Sequence, residues 1–216
     1  MLIAGRSLWL AETNCWVVAP HAGGPGVIID APPDPDGVLD LLAENQVTPV
    51  AMILTHGHID HTGGAGVVVG EVGMDAYVHP DDDFLTLDPF SQLRMLFGMV
   101  PAGEFAPPAR LEHLSDGLVL RLAGLDLEVI HTPGHTPGHC CFLIRDEALL
   151  FSGDHLFAGS IGRTDLPGGD YDTLMDSMRK KVLPLDDDVI VYPGHGPTTT
   201  LARERRTNPF LQELSQ

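Results

Sequence analysis

The stretch that most constrains this chain is Thr55-His56-Gly57-His58-Ile59-Asp60-His61, directly after the apolar run Val50-Ala51-Met52-Ile53-Leu54. A short unbroken apolar run reads as a strand buried on both faces, as in a sheet covered by helices. The polar cluster therefore begins where a buried strand ends, which is where open α/β sheets place their ligands. Neutral imidazoles suit zinc or iron, and an added carboxylate hardens the site. One short loop cannot wrap four donors around a single ion. His56 and His58 alternate like strand residues and can share one ion, while Asp60 and His61 can face a second. The bland alternative is a solvated polar turn, but three histidines and an aspartate within six residues fit a turn poorly.

At 216 residues the chain is expected to form a single domain over residues 1–216 with a sizeable core. No apolar run reaches the length of a membrane span, and Met1-Leu2-Ile3-Ala4-Gly5-Arg6 lacks a basic-then-apolar leader, so a cytoplasmic protein is expected. The three cysteines, Cys15, Cys140 and Cys141, form no C-x-x-C pair and read as small buried hydrophobes. A formal net charge of −18 argues against nucleic acid and anionic membranes as partners. The sequence carries no signal for oligomeric state.

Residues 14–18 and 26–29 read as neighbouring strands, the second ending at Asp30. That carboxylate either orients a ligating histidine or caps a turn. Asp36 is expected to cap a helix with Val38, Leu41 and Leu42 inward. Strands follow at 50–54 and 76–78. Leu93, Leu96, Phe97 and Val100 recur at helical spacing within 84–100, a stripe that is either core or the lining of a substrate pocket. Residues 118–122 and 126–130 form a hairpin around Ala123-Gly124, then strands are expected at 140–144 and 147–151. A helix over 171–183 takes Asp170 as its N-cap, a strand at 189–192 follows, and a short helix near 200–206 closes the pattern. Strand–helix–strand order argues for an α/β sandwich. Strands repeatedly end in a turn that carries a histidine or aspartate, at His56–His61, His135, Asp154 and His195.

Thr-His-x-His-x-Asp-His, followed by His135, Asp154 and His195, resembles the metallo-β-lactamase-fold hydrolases, and the glyoxalase II-like branch in particular. Thr132-Pro133-Gly134-His135-Thr136-Pro137-Gly138, Gly162-Arg163-Thr164-Asp165, Tyr192-Pro193-Gly194-His195-Gly196 and Asn208-Pro209-Phe210 extend the likeness over nearly the whole chain. The resemblance implies an αβ/βα sandwich of two mixed sheets flanked by helices. It implies that His56, His58 and His135 bind a first metal, that Asp60, His61 and His195 bind a second, and that Asp154 bridges them beside a hydroxide. Asp60 is then also a catalytic residue. Two divalent ions are implied, zinc first, with iron or manganese as alternatives. His21, His79 and His113 lie outside every motif and read as surface or turn residues, whereas His131, His139 and His155 adjoin ligands. The chain is expected to be the short bacterial form, without the helical C-terminal domain with which glyoxalase II helps hold glutathione.

The expected partner is a small-molecule thioester. Thiolate, from a thiol of reference pKa near 8.5, leaves without a proton donor, and the sequence shows neither a Gly-x-Ser-x-Gly nucleophile nor an obvious general acid. The expected function is a binuclear metal-dependent hydrolase acting on S-acylglutathione-type thioesters. The alternative is a glutathione persulfide dioxygenase with one iron, which shares the outer motifs. Arg163, alone in a glycine-rich loop, is the expected substrate-binding residue, a cationic anchor for the carboxylates of glutathione.

Overall fold

The structure, a computed structural model, describes residues 1–214. Two six-stranded sheets pack face to face with helices on both outer sides. The first sheet runs in chain order: β1 (Leu2–Leu8), β2 (Thr13–Ala19), β3 (Pro25–Ile29), β4 (Thr48–Ile53), β5 (Asp75–Val78) and β6 (Leu111–His113). β1 to β3 are antiparallel, and β3 to β6 are parallel. The second half of the chain supplies β7 (Val119–Leu122), β8 (Leu125–His131), β9 (Cys140–Ile144) and β10 (Leu149–Gly153), the small ribbon β11 (Leu156–Phe157) and β12 (Ser160–Ile161), then β13 (Ile190–Pro193) and β14 (Thr199–Thr200). Its main sheet has the order β14-β13-β10-β9-β8-β7, antiparallel except where β10 meets β13.

Side-chain alternation explains the layering. Along β3, Val27 and Ile29 face the second sheet, where they join Ala51, Ile53, Val129, Phe142 and Phe151, whereas Ile28 points the other way. Ile28 packs under α1 (Pro35–Asn45), against Val38 and Leu41, in the layer that also holds Val68 of a later helix. A third cluster covers the far side of the second sheet. Phe142 and Phe151 are fully buried between the sheets, so truncating either to alanine would cost about 3–5 kcal/mol. This is the αβ/βα sandwich expected from the sequence.

The site edge is built by three backbone links. Cys140 N donates to Thr55 O at 2.7 Å and ties the first sheet to the second. Asn14 N donates to Gly194 O at 2.7 Å, beside an isolated bridge between Thr13 and His195. Gly194 N donates to Gly153 O at 2.8 Å, where the parallel register sets Gly153 opposite Pro193. The turns after β4, β10 and β13 are thereby gathered at one end of the sandwich.

Several expectations need correction. The N-cap of α1 is Asp34, which accepts from Gly37 N at 3.1 Å, and Asp36 sits in the first turn. Pro35 explains the shift, since proline suits the first helical position and leaves the cap to the residue before it. The region after His58 holds α2 (Ile59–Thr62) and α3 (Ala65–Val72). The apolar 84–100 segment is split into α4 (Asp83–Thr86) and α5 (Pro89–Phe97), with Asp88 capping the second. Within its stripe, Leu93 is fully buried, but Leu96 and Phe97 are 46% and 44% exposed. The strand expected from 147 begins at Leu149, because residues 145–147 form a tight turn. β1, β6 and the short β11, β12 and β14 had no clear apolar alternation to announce them. The long helix holds to 177 as α6 (Tyr171–Ser177) with Asp170 as its cap, then widens into a π-turn over Met178–Val182. α7 (Leu201–Thr207) and α8 (Pro209–Glu213) close the second face.

Candidate metal centre

The turn after β4, the β8–β9 loop and the turns after β10 and β13 bring all seven expected donor residues together. The ring nitrogens of three histidines face one another: His56 Nε2 to His58 Nδ1 is 3.1 Å, His58 Nδ1 to His135 Nε2 is 2.9 Å, and His135 Nε2 to His56 Nε2 is 3.2 Å. Beside them, His61 Nε2, His195 Nε2 and Asp60 Oδ2 form a second triangle with sides of 3.3, 3.3 and 3.5 Å. Asp154 stands between the two sets. Its Oδ2 lies 3.5 Å from His135 Nε2 and 3.4 Å from His195 Nε2, and its Oδ1 lies 3.3 Å from His61 Nε2.

The surrounding bonds fix which nitrogens carry protons. Asp30 accepts from Thr55 N at 2.8 Å, and its Oδ2 takes the Thr55 hydroxyl and the His61 Nδ1–H, each at 2.8 Å. With its proton committed to Asp30, Thr55 Oγ1 accepts from His56 Nδ1 at 3.0 Å. His135 Nδ1 donates to Arg163 O at 2.7 Å, and His195 Nδ1 to Ala11 O at 3.1 Å. Four histidines therefore turn an Nε2 lone pair inward, the arrangement that outer partners impose on metal-ligating imidazoles. Of the two roles left open for Asp30, the geometry selects the orienting one.

These residues fit cations. A proton on His58 Nδ1 could satisfy one of its two nitrogen neighbours, whereas one cation satisfies all three lone pairs. Two nitrogens on one tetrahedral zinc lie about 3.3 Å apart, close to the separations in the first triangle. Among the described residues Asp154 Oδ1 is buried without a hydrogen-bond partner, an orphaned anionic atom among imidazoles. Burial, with the neighbouring imidazoles, pushes His56 down and His58 down to about 3, so both are neutral donors. Burial also works against charge on His61 and His195, but the carboxylates of Asp154 and Asp60 override it and raise both, His195 to about 9. The second set thus calls for positive charge where the first offers neutral nitrogen.

Small residues make the room. A Cβ on Gly194 would lie 2.3 Å from Asp154 Oδ1, and one on Gly162 would lie 1.8 Å from Asp154 O. Several supporting residues had no motif to reveal them. Asp82 accepts from Gly57 N, Gly138 N and Thr136 Oγ1. Gln92 of α5 accepts from Ile59 N and donates to Gly57 O and Leu85 O. Asn14 Nδ2 donates to Pro193 O and Gly196 O, pinning the His195 turn. Hydrophobic periodicity passes over such residues, because their signal is a contact between distant loops.

The other histidines divide. His139 is fully buried, accepts from Asp154 N at 3.1 Å and bonds Thr132 Oγ1, so it positions the Asp154 turn. His155 is fully buried with its ring 5.8 Å from that of His139, and among the described residues neither of its nitrogens has a hydrogen-bond partner. His79 is buried rather than at the surface, stacked on His131 with centroids 4.0 Å apart and planes 7° apart. Together with Asp81 that pair brings three donor atoms within 4.8 Å, but lone pairs of parallel rings do not converge. Arg163 lines the cavity over the centre, yet its guanidinium binds both oxygens of Asp165 at 2.7 and 2.8 Å. Arg205 turns away to Asp187 and the carbonyls of Leu183 and Leu185.

Residues 9–195 match the Metallo-beta-lactamase superfamily. The chain belongs to that superfamily. Among curated members, the hydroxyacylglutathione hydrolase GloC of Haemophilus influenzae is 38% identical over 188 residues, covering 87% of this chain and 88% of its own. Two crystal structures superpose over nearly their full length. The BLEG-1 B3 metallo-beta-lactamase is 36% identical with a TM-score of 0.88, covering 97% of this chain and 99% of its own. TTHA1623 in a di-iron-bound form is 38% identical with a TM-score of 0.85, covering 96% and 100%. ETHE1 from Myxococcus xanthus is 25% identical with a TM-score of 0.75, covering 97% and 84%.

The outer shell gives the first prediction. Asn at position 30 offers one oxygen in place of two and brings an amide NH₂ toward donors. Asp30→Asn is expected to weaken metal binding about 10- to 100-fold in competition with a chelating dye, without loss of fold. Unchanged affinity would remove Asp30 from the role given to it here.

Proposed function

We propose that the chain is a binuclear metal-dependent thioester hydrolase of glyoxalase II type. The observation that carries this reading is the Asp154 carboxylate set between two donor triangles, each open to one cavity. His56, His58 and His135 would hold one divalent ion, Asp60, His61 and His195 the other, and Asp154 both. When bound, such ions polarise a carbonyl and lower the pKa of water toward neutrality.

The chain's own groups do the rest. Asp60, held as a carboxylate by His61 and His195 although burial opposes it, lines the cavity and takes the proton from the attacking water. Thr13 Oγ1 donates to Asp60 Oδ2 at 3.2 Å and orients it. No cysteine competes as nucleophile: Cys15, Cys140 and Cys141 are buried, and burial pushes all three thiols up. A thiolate leaving group needs no acid. The name of the Haemophilus relative supports a thioester over an amide.

The test is metal stoichiometry measured with turnover. Protein purified without chelator is expected to carry close to two equivalents and to hydrolyse S-lactoylglutathione, and chelation should abolish turnover. A persistent single iron, with oxygen uptake on glutathione persulfide, would overturn the hydrolase in favour of the dioxygenase.

A further inference from the structure

The cavity over the metal centre has a volume of about 570 Å³, within the usual range for a small-molecule site. Its floor is His58, Asp60, His135, Asp154 and His195, and its walls are largely apolar. One wall is the C-terminal turn of α5, where Met95 is 51% exposed, Leu96 46% and Phe97 44%. Leu10 and Trp9 from the β1–β2 turn also line it, with Phe157 and Leu166. Trp9 meets Phe97 edge-on, with centroids 5.9 Å apart. Phe157 in turn lies edge-on to His195 at 6.0 Å, so the apolar wall runs down to a donor residue.

Two further observations separate this wall from ordinary surface. Trp9 has φ of 62°, a left-handed conformation that a bulky side chain rarely adopts and that clusters at ligand clamps. Two bonds just after Trp9 tie the turn to the donor residues: Ala11 O accepts from His195 Nδ1, and Thr13 Oγ1 donates to Asp60. Away from the donor residues of its floor, the cavity also has little to offer an anion. Among the described residues its one lysine or arginine is Arg163, already paired with both oxygens of Asp165, and the chain carries a net charge of −18. Gln92, the other long polar side chain in the lining, spends its amide on Ile59, Gly57 and Leu85.

We infer that the substrate carries an uncharged alkyl or aryl arm, longer than lactoyl, seated between Trp9, Met95, Leu96, Phe97 and Phe157. This rests on the hydrolase reading and adds to it the class of substrate. The arm belongs either to the acyl group or to the departing thiol, and matched series separate the two. One series lengthens the acyl chain on the neutral thiol N-acetylcysteamine, from acetyl to octanoyl. The other keeps acetyl and lengthens an alkyl thiol.

In one series kcat/KM is expected to rise about three- to fourfold per methylene before levelling, as burial of each group predicts. Phe97→Ser and, separately, Trp9→Ala should flatten that slope. Both positions are at least partly exposed, so neither change empties the core. Binding is read independently by calorimetry with N-acetyl-S-octylcysteamine, a thioether that cannot be cleaved. It should bind at least about tenfold more tightly than the S-ethyl analogue, and Phe97→Ser should remove the difference. A flat slope in both series, with acetyl thioesters turned over, would overturn the apolar arm and leave the hydrolase standing. Chain-length-dependent thioether binding without turnover of any thioester would do the reverse. Equal thioether affinities would overturn the inference, including the case where a second copy of the chain covers α5.

Discussion

Asp154→Ala is expected to lower bound metal from two equivalents toward one or fewer, and turnover by at least about a thousandfold. The magnitude corresponds to about 4 kcal/mol of lost transition-state stabilisation. Its size follows from position. Among the described residues Asp154 is the one group whose two oxygens reach nitrogens of both triangles, at 3.3 to 3.5 Å. Without it, a first ion would keep its three imidazoles and a second would lose one of its two carboxylates. Asp154→Asn retains the shape and tests charge alone, so it should fall between wild type and alanine in metal content. Elemental analysis measures the first quantity, and thermal unfolding with and without added zinc gives an independent one. The stabilisation that metal confers grows with the ratio of free metal to Kd and should shrink in both variants. Two equivalents retained in Asp154→Ala, with normal activity, would show that the carboxylate bridges nothing.

The sequence exposed this centre because each donor stands in a turn that directly follows or joins strands. The run before Thr55 announces a buried strand by apolarity alone, and the histidines announce the end of it. The same logic located His135, Asp154 and His195, and hydrophobic periodicity located α1 and α6. Edge elements were less legible. β1 sets a partly buried Arg6 between exposed Gly5 and Ser7 and pairs along one side only, so its pattern is weak. α5 illustrates a different limit. Its apolar stripe is real, but Leu93 goes to the core while Leu96 and Phe97 line a cavity, and spacing does not distinguish these fates. For Arg163 the residue was visible while its partner was not, because a two-residue step to Asp165 becomes an ion pair only through the loop's conformation. Asp34 displaced Asp36 as a cap for a reason written in the sequence, the proline between them.

Asp82 shows what the chain needs beyond donors, and Asp82→Ala is expected to cost about 4 kcal/mol of stability. The carboxylate is fully buried and receives Gly57 N at 2.8 Å, Gly138 N at 2.6 Å and Thr136 Oγ1 at 2.6 Å. Burial pushes its carboxyl up, and the bonds from Thr136, Gly138 and Gly57 pull it back part of the way. Alanine would leave three donors in a dry site, each costing about 1–3 kcal/mol when unpaired, less whatever water enters the space. For a chain of this length the loss corresponds to a fall in Tm of about 10 °C. Asn would recover only part of it, since its NH₂ must face one of those donors. The consequence reaches the metals, because the three donors belong to the two loops that carry His56, His58 and His135. A loosened first triangle should release its ion at lower chelator concentration than wild type, while the folded fraction is still high. A fall in Tm below about 2 °C, with unchanged metal release, would mean that the loops hold their geometry without this tie. The backbone links at Cys140–Thr55 and Gly194–Gly153 would then suffice to place the donors.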